Sequence, residues 1–432
     1  MALATKGLNT FSAAEAARLI ASGEITSESL VRACLERISE REPNLHAWAT
    51  LDLQHALAQA RYCDRGPARG PLHGVPIGIK DIIDTADLPT EMGSPIYKGH
   101  RPAADAACVA GLRAAGAVIL GKTITCEFAG MTPDMTANPH NLAHTPGGSS
   151  SGSAAAVADF QVPAALGTQT GGSVIRPASF CGIVGYKPSY GLINRRGVFP
   201  AAESLDTVGF MARTVEDVDL IAAHLVGRDR VRREEVKGPR VGICRTPLWD
   251  SVDRATAEAI EDAAKRLAAA GLQVEEIVLP RRFSGLAEAR DKINDYERAR
   301  ALGYEWASKR DQISSRLSAS LARGFAMQAS DFMGALALAE SCRARLSALT
   351  RDVDVLLAPA VPGEAPRGLD FTGDPRLQGI WTLLHVPTIT LPTHGGPGGL
   401  PIGIQLVGKY CEDEALLAAA YWAFDRLGAW RM

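Results

Sequence analysis

The chain has 432 residues, 46% of them apolar, and a formal charge of −2 at neutral pH. That length and apolar content support a large core, as one big α/β domain or two ordinary ones. So small a net charge projects no strong field towards nucleic acid or anionic lipid, and no apolar run approaches the roughly 18 to 20 residues that span a bilayer.

Residues 1–9 lack the basic and then apolar layout of a secretory signal. The eight cysteines are scattered, with no C-x-x-C pair and no short disulfide-like framework. Both features point to a reducing, cytoplasmic setting, with cysteines that pack as small apolar side chains. In chain order, the first forty residues read as two amphipathic helices. Ser12 and Glu15 form a capping box, and Leu30, Val31, Cys34, Leu35 and Ile38 then recur at helical spacing. Val75-Pro76-Ile77-Gly78-Ile79 is too short and too uniformly apolar for an amphipathic helix, so it reads as a buried strand that delivers Lys80 and Asp81 at its end. Asp105 is expected to cap a helix that Gly116 stops, and residues 117–120 to form the next strand. The alternation returns as a strand over 241–244, a helix over 253–270 stopped by Gly271, and a strand over 272–279. Between these halves, the charge run GRDRVRREEVKGPR at 227–240 reads as a solvated connection. Residues 291–349 read as helices packed over one side of the core, and 354–359, 388–392 and 402–407 as three more buried strands.

Two Gly/Ser clusters carry the chemistry: Gly147-Gly148-Ser149-Ser150-Ser151-Gly152-Ser153, then Gly171-Gly172-Ser173. A serine hydroxyl needs a partner to remove its proton. None of the nine histidines sits in a recognisable triad context, and no G-x-S-x-G elbow surrounds a candidate serine. A lysine can do this work if burial destabilises its ammonium, and Lys80 follows an apolar run. The first cluster opens the helix-forming run Ala154-Ala155-Ala156-Val157-Ala158, so it aims backbone N–H groups at one place. The second follows a strand-like stretch, 164–169. Its N–H groups, approachable because glycine has no Cβ, could hold the oxyanion of an acyl transfer, roughly 3 to 4 kcal/mol for one donor.

GVPIGIKD around Lys80, PGGSSSGSAAAVA around Ser149 and GTQTGGSVIRPASFCGIVGYKPS around Ser173 resemble the amidase signature family, as does the 24-residue separation of the two serines. The similarity continues into GLPIGIQLVG and so spans most of the chain. The resemblance implies one large α/β domain with a central mixed sheet covered by helices on both sides. Within it, residues 1–70 would supply N-terminal helices, 71–225 the catalytic core, 226–240 the charged connection, and 241–432 the rest of the sheet and helical cover. It also implies hydrolysis of a carboxylic amide through an acyl-enzyme on Ser173, without cofactor or metal. Ser149, after a cis peptide bond, would relay protons between Ser173 and the base Lys80. The N–H groups of Thr170, Gly171, Gly172 and Ser173 would form the oxyanion hole, and Ser150 would support the network. Two positions depart from the family pattern. Gln169 stands where aspartate is common, and Ile175 where an arginine follows the nucleophile by two places; Arg176 comes one place later. The packing around the triad and the support of the turn are therefore open.

Competing motifs are weaker. GAVILGKT at 116–123 matches a phosphate loop by letter, but its spacer residues are themselves the expected strand. His140 and His144 lie between prolines and read as loop residues that could line the site, not as metal ligands. Cys126 beside Glu127 shows no activating histidine or helix N-terminus, and Cys181 reads as packing. Residues 126–131, the helix around 296–306 and residues 380–385, with Cys126, Met131, Ile380 and Trp381 as candidates, are placed at the pocket by their position. These stretches are mostly apolar, which favours an aryl or alkyl amide, although nearby Arg and His could pair with a carboxylate. The expected partner is a small amide, with neither nucleic acid nor membrane, and a homodimer is the default assembly. The alternative function is the glutamine-hydrolysing subunit of a tRNA-dependent amidotransferase. A catalytically dead scaffold is disfavoured by the intact Lys80, Ser149 and Ser173.

Overall fold

The computed structural model describes residues 7–430. Residues 1–6, part of the stretch expected to lack a secretory layout, lie outside them. The strands in chain order are β1 (Trp48–Leu51), β2 (Pro76–Lys80), β3 (Val118–Thr123), β4 (Ala164–Gln169), β5 (Val184–Lys187), β6 (Thr207–Ala212), β7 (Val241–Ile243), β8 (Val274–Glu276), β9 (Val355–Pro359), β10 (Thr388–Gly395) and β11 (Pro401–Val407). They form one sheet in the order β1-β3-β2-β4-β6-β5-β10-β11-β9-β7-β8. β3, β2 and β4 run parallel, as do β9, β7 and β8. The remaining neighbours are antiparallel, so the sheet is mixed.

Every residue of β2, β3, β4, β5, β6, β9 and β11 is buried. Strands buried along their whole length in this way require cover on both faces. Helices Ser151–Ala158 and Ile175–Phe180 pack on the middle strands, as do Val215–Val226, Arg254–Ala269 and Asp413–Leu427. A second apolar core forms where Leu286–Ala301, Ala329–Leu349 and Arg376–Leu383 meet. No helix of the described residues is long and apolar enough to cross a membrane.

The N-terminal helices are Ala13–Ala21 and Ser27–Leu45, and Ser12 Oγ accepts the Glu15 N–H at 3.1 Å. Three sequence expectations shift. Asp105 does not cap the helix Ala107–Ala114; its carboxylate accepts the Ala86 N–H at 2.8 Å and pairs with Arg113 Nε at 2.9 Å. β3 runs on through Gly121, Lys122 and Thr123, because β1 and β2 flank it along that length. The strand expected over 272–279 is only Val274–Glu276, since it sits at the sheet edge beside the equally short β7. The charge run at 227–240 is a connection, but it is tied down. Arg228 pairs with Asp219 at 2.6 Å, Arg230 with Glu216 at 2.9 Å and Arg233 with Asp425 at 2.9 Å.

Candidate active site

Two parallel strands end side by side and set the site. The register of β2 on β4 places Ile79 opposite Leu166, so Lys80 projects beside Thr168. Lys80 Nζ donates to Thr168 Oγ1 and to Ser149 Oγ, both at 2.8 Å. Ser149 arrives from the loop that opens helix Ser151–Ala158, after a cis Gly148–Ser149 peptide bond. Lys80 is 0% exposed and forms no ion pair among the described residues. Burial lowers its pKa to about 7; the positive Arg298 and Arg176 push the same way, and Asp206 opposes them. The Cys126 thiol also faces it, but burial raises that thiol to about 11, so at neutral pH it carries no charge. Asp81 is not the partner of Lys80: it pairs with Lys122 at 3.1 Å.

β4 leads into the turn Thr170-Gly171-Gly172-Ser173. Because Gln169 pairs with Thr207 across β4 and β6, Asp206 lies beside this turn, and Thr170 Oγ1 donates to Asp206 Oδ1 at 2.5 Å. The N–H groups of Gly171, Gly172 and Ser173 donate to no carbonyl or side chain of the described residues. Ser173 is 7% exposed, and its hydroxyl likewise has no partner among them. Gly172 permits a close approach: a Cβ there would stand 2.2 Å from Oε1 of the buried Gln378, whose side chain would have to shift.

The two departures from the family pattern have a structural reason. Gln169 Oε1 accepts the N–H groups of Val174 (2.9 Å) and Ile175 (3.0 Å), capping the helix Ile175–Phe180 without a charge. Its Nε2 donates to Thr382 Oγ1 at 3.0 Å, and Thr382 donates to Gly171 O at 2.7 Å. One amide therefore braces the turn from both sides, which a carboxylate could not do, having no donor. Arg176 is fully buried and donates to Gly148 O at 2.6 Å and Thr372 Oγ1 at 3.2 Å, holding the loop before Ser149. Burial lowers its pKa to about 10, so it stays charged at neutral pH. Ser150 Oγ bonds both the N–H and the carbonyl of Thr168 at 3.3 Å, tying this loop to β4.

A cleft of about 560 Å³ adjoins the turn, lined by Met131, Pro375 and a set of arginines and aspartates. Arg290 and Pro375 on its wall would lie 3.3 and 3.4 Å from a Cβ at Gly171. Of the four candidates Cys126, Met131, Ile380 and Trp381, Met131 lines this cleft and the others do not; of the helix assigned to the pocket, Arg298 lines it as well. Ile380 and Trp381 are the apolar face of helix Arg376–Leu383 and pack in the second core with Leu205, Leu286 and Ile293, while Gln378 and Thr382 face the turn. Cys126 is buried beneath the site, its Sγ 2.9 Å from where a Cβ at Gly148 would stand. Most of the residues that line the cleft are charged.

The competing motifs resolve into packing. Lys122 of GAVILGKT is a buried strand residue that donates to Thr90 Oγ1 at 2.6 Å as well as pairing with Asp81. His140 and His144 each bond a backbone carbonyl, those of Cys181 and Ala365, at 2.8 Å. Cys181 Sγ lies against Pro146 O, and burial raises its pKa. Among the described residues no cluster of His, Cys, Asp and Glu could hold a metal ion. Sequence reasoning did not single out Thr168, Asp206 or Arg290, whereas Arg298 and Thr382 fall in two stretches, 296–306 and 380–385, that it placed at the pocket. Thr168 lies within the GTQTGGS motif, but its contact with Lys80 is set by strand register; Arg290 lies outside any motif, and Asp206, directly before an apolar strand, offers a signal only of placement at a strand end.

Known proteins resemble this chain along nearly its whole length. Residues 29–417 match the family model described as Amidase. The A-type subunit of the glutamyl-tRNA(Gln) amidotransferase of Roseiflexus castenholzii is 34% identical, over 96% of each chain. A solved amidase superposes with a TM-score of 0.90 at 33% identity, covering 97% of this chain and 100% of that one. The native peptide amidase of Stenotrophomonas maltophilia superposes at 0.86 with 31% identity, covering 98% of both. The chain belongs to the amidase signature family, whose model spans it from the second N-terminal helix to the C-terminal one.

Proposed function

We propose that this hydrolase of carbon–nitrogen bonds cleaves a linear carboxylic amide through an acyl-enzyme on Ser173. The observation that carries the reading is the buried Lys80, whose Nζ lies 2.8 Å from Ser149 Oγ and whose pKa is lowered to about 7. A lysine so placed is a usable base near neutral pH. Ser173 Oγ would attack the carbonyl carbon while its proton passes to Ser149 and the Ser149 proton to Lys80. The N–H groups of the 170–173 turn would hold the oxyanion. The C–N bond then breaks, the leaving amine takes the proton back through Ser149, and water hydrolyses the ester to release the acid.

A second reading is favoured by the 34% identity to the A-type subunits of glutamyl-tRNA(Gln) amidotransferases: the chain would hydrolyse glutamine within a complex. Ammonia release by the isolated chain separates the two. Turnover of simple aliphatic or aromatic amides without a partner supports the stand-alone amidase. Turnover confined to glutamine, and appearing only when a partner is added, supports the amidotransferase reading.

A further inference from the structure

The cleft beside the turn holds more positive charge than its own carboxylates neutralise. Arg290, Arg298, Arg316, Arg323 and Arg376 line it with Asp291, Asp295 and Asp374. The aspartates are already engaged. Asp295 accepts Ser320 Oγ at 2.5 Å and Arg323 Nε at 2.8 Å, and Asp374 is held by Arg376 at 2.5 Å. Asp291, itself 56% exposed, takes a single Nη of Arg290 at 2.7 Å. Arg298 is 5% exposed and forms no ion pair among the described residues; its guanidinium donates to Asn294 Oδ1 at 3.2 Å. The Nε atoms of Arg290 and Arg298 are both buried without a hydrogen-bond partner. Arg290, 8% exposed, is wedged between Gly171 of the turn and Gly379, where a Cβ would stand 3.0 Å from its Nε.

Buried guanidinium groups with unused donors are costly unless an anion completes them. Their planar fork fits a carboxylate in particular. We propose that the cleft binds a carboxylate carried by the substrate a short distance from the scissile carbonyl, with Arg290 and Arg298 as its ligands. The preferred substrate is then an anionic amide and not the neutral aryl or alkyl amide that the sequence suggests. This inference rests on the hydrolase reading above, and deepens it by naming the substrate class.

The test compares kcat/KM for succinamate and glutaramate, with the carboxylate on the acyl side, and N-acetylglycine, with it on the amine side, against the methyl ester of each. The expected result is that at least one anionic amide exceeds its ester by about tenfold to a hundredfold, and the favoured arm identifies the side. In Arg290→Met and Arg298→Met that ratio collapses towards one, mainly through KM, while Arg298→Lys retains part of it. Labelling of Ser173 by a fluorophosphonate in every variant reports an assembled site independently of substrate choice. Equal or greater turnover of the esters by a wild-type chain that labels at Ser173 overturns the carboxylate assignment and leaves the hydrolase reading standing. Absence of both labelling and turnover overturns the hydrolase reading, and this inference with it.

Discussion

Lys80 and Asp81 are adjacent in sequence and have different partners. Lys80 meets two hydroxyls, whereas Asp81 meets the ammonium of Lys122. The apolar run before Lys80 makes its burial legible in the sequence, but its partner Thr168 is set by a strand register that no motif encodes. Two pH effects follow from the lowered pKa. The proposed base is the neutral amine, so kcat/KM should rise with pH to a plateau above about 7. Lys80→Ala should lose that limb and slow acylation by roughly a thousandfold; pre-steady-state rates across pH check this. For stability, the unfolded chain binds more protons than the folded one between about 7 and the ordinary 10.5, so stability rises with pH over that window on this residue's account. Lys80→Met should flatten that slope in denaturant melts taken at several pH values.

The site's elements are a strand end, a four-residue turn and a short helix, bound together by Gln169. Its side chain satisfies two helix N–H groups and reaches Thr382 on a helix more than two hundred residues away in sequence. Gln169→Leu should leave those buried donors unpaired, costing about 2 kcal/mol in a denaturant melt, and should lower kcat more than it raises KM as the turn loosens. The Gly/Ser clusters and the strand before the turn were legible because they are local. The role of Gln169 was not, since it depends on Thr382, and the pocket assignment of Ile380 and Trp381 failed for a related reason. An apolar residue on a helix beside a site goes to the core when the polar side of that helix, here Gln378 and Thr382, faces the site.

At the scale of the molecule, one mixed sheet joins the N-terminal and C-terminal halves, because β5 of the first pairs with β10 of the second. Asp413 locks this junction: it accepts Tyr186 Oη at 2.6 Å, the Ser189 N–H at 2.8 Å and Ser189 Oγ at 2.5 Å. Asp413→Ala should strip acceptors from buried groups and cost about 2 to 3 kcal/mol, measured by urea unfolding, with labelling of Ser173 retained in the folded fraction. Strand–helix alternation made the α/β class legible. The order of strands was not, because antiparallel returns such as β4 to β6 are decided by tertiary packing and not by any turn signal.

Intact mass and peptide mapping after fluorophosphonate treatment, in wild type and in Lys80→Ala, test the central claim most directly. The expected result is a single adduct on Ser173 that forms in the wild type and is suppressed without Lys80. An adduct on another residue, equal labelling in Lys80→Ala, or no adduct in the folded wild-type chain would contradict it.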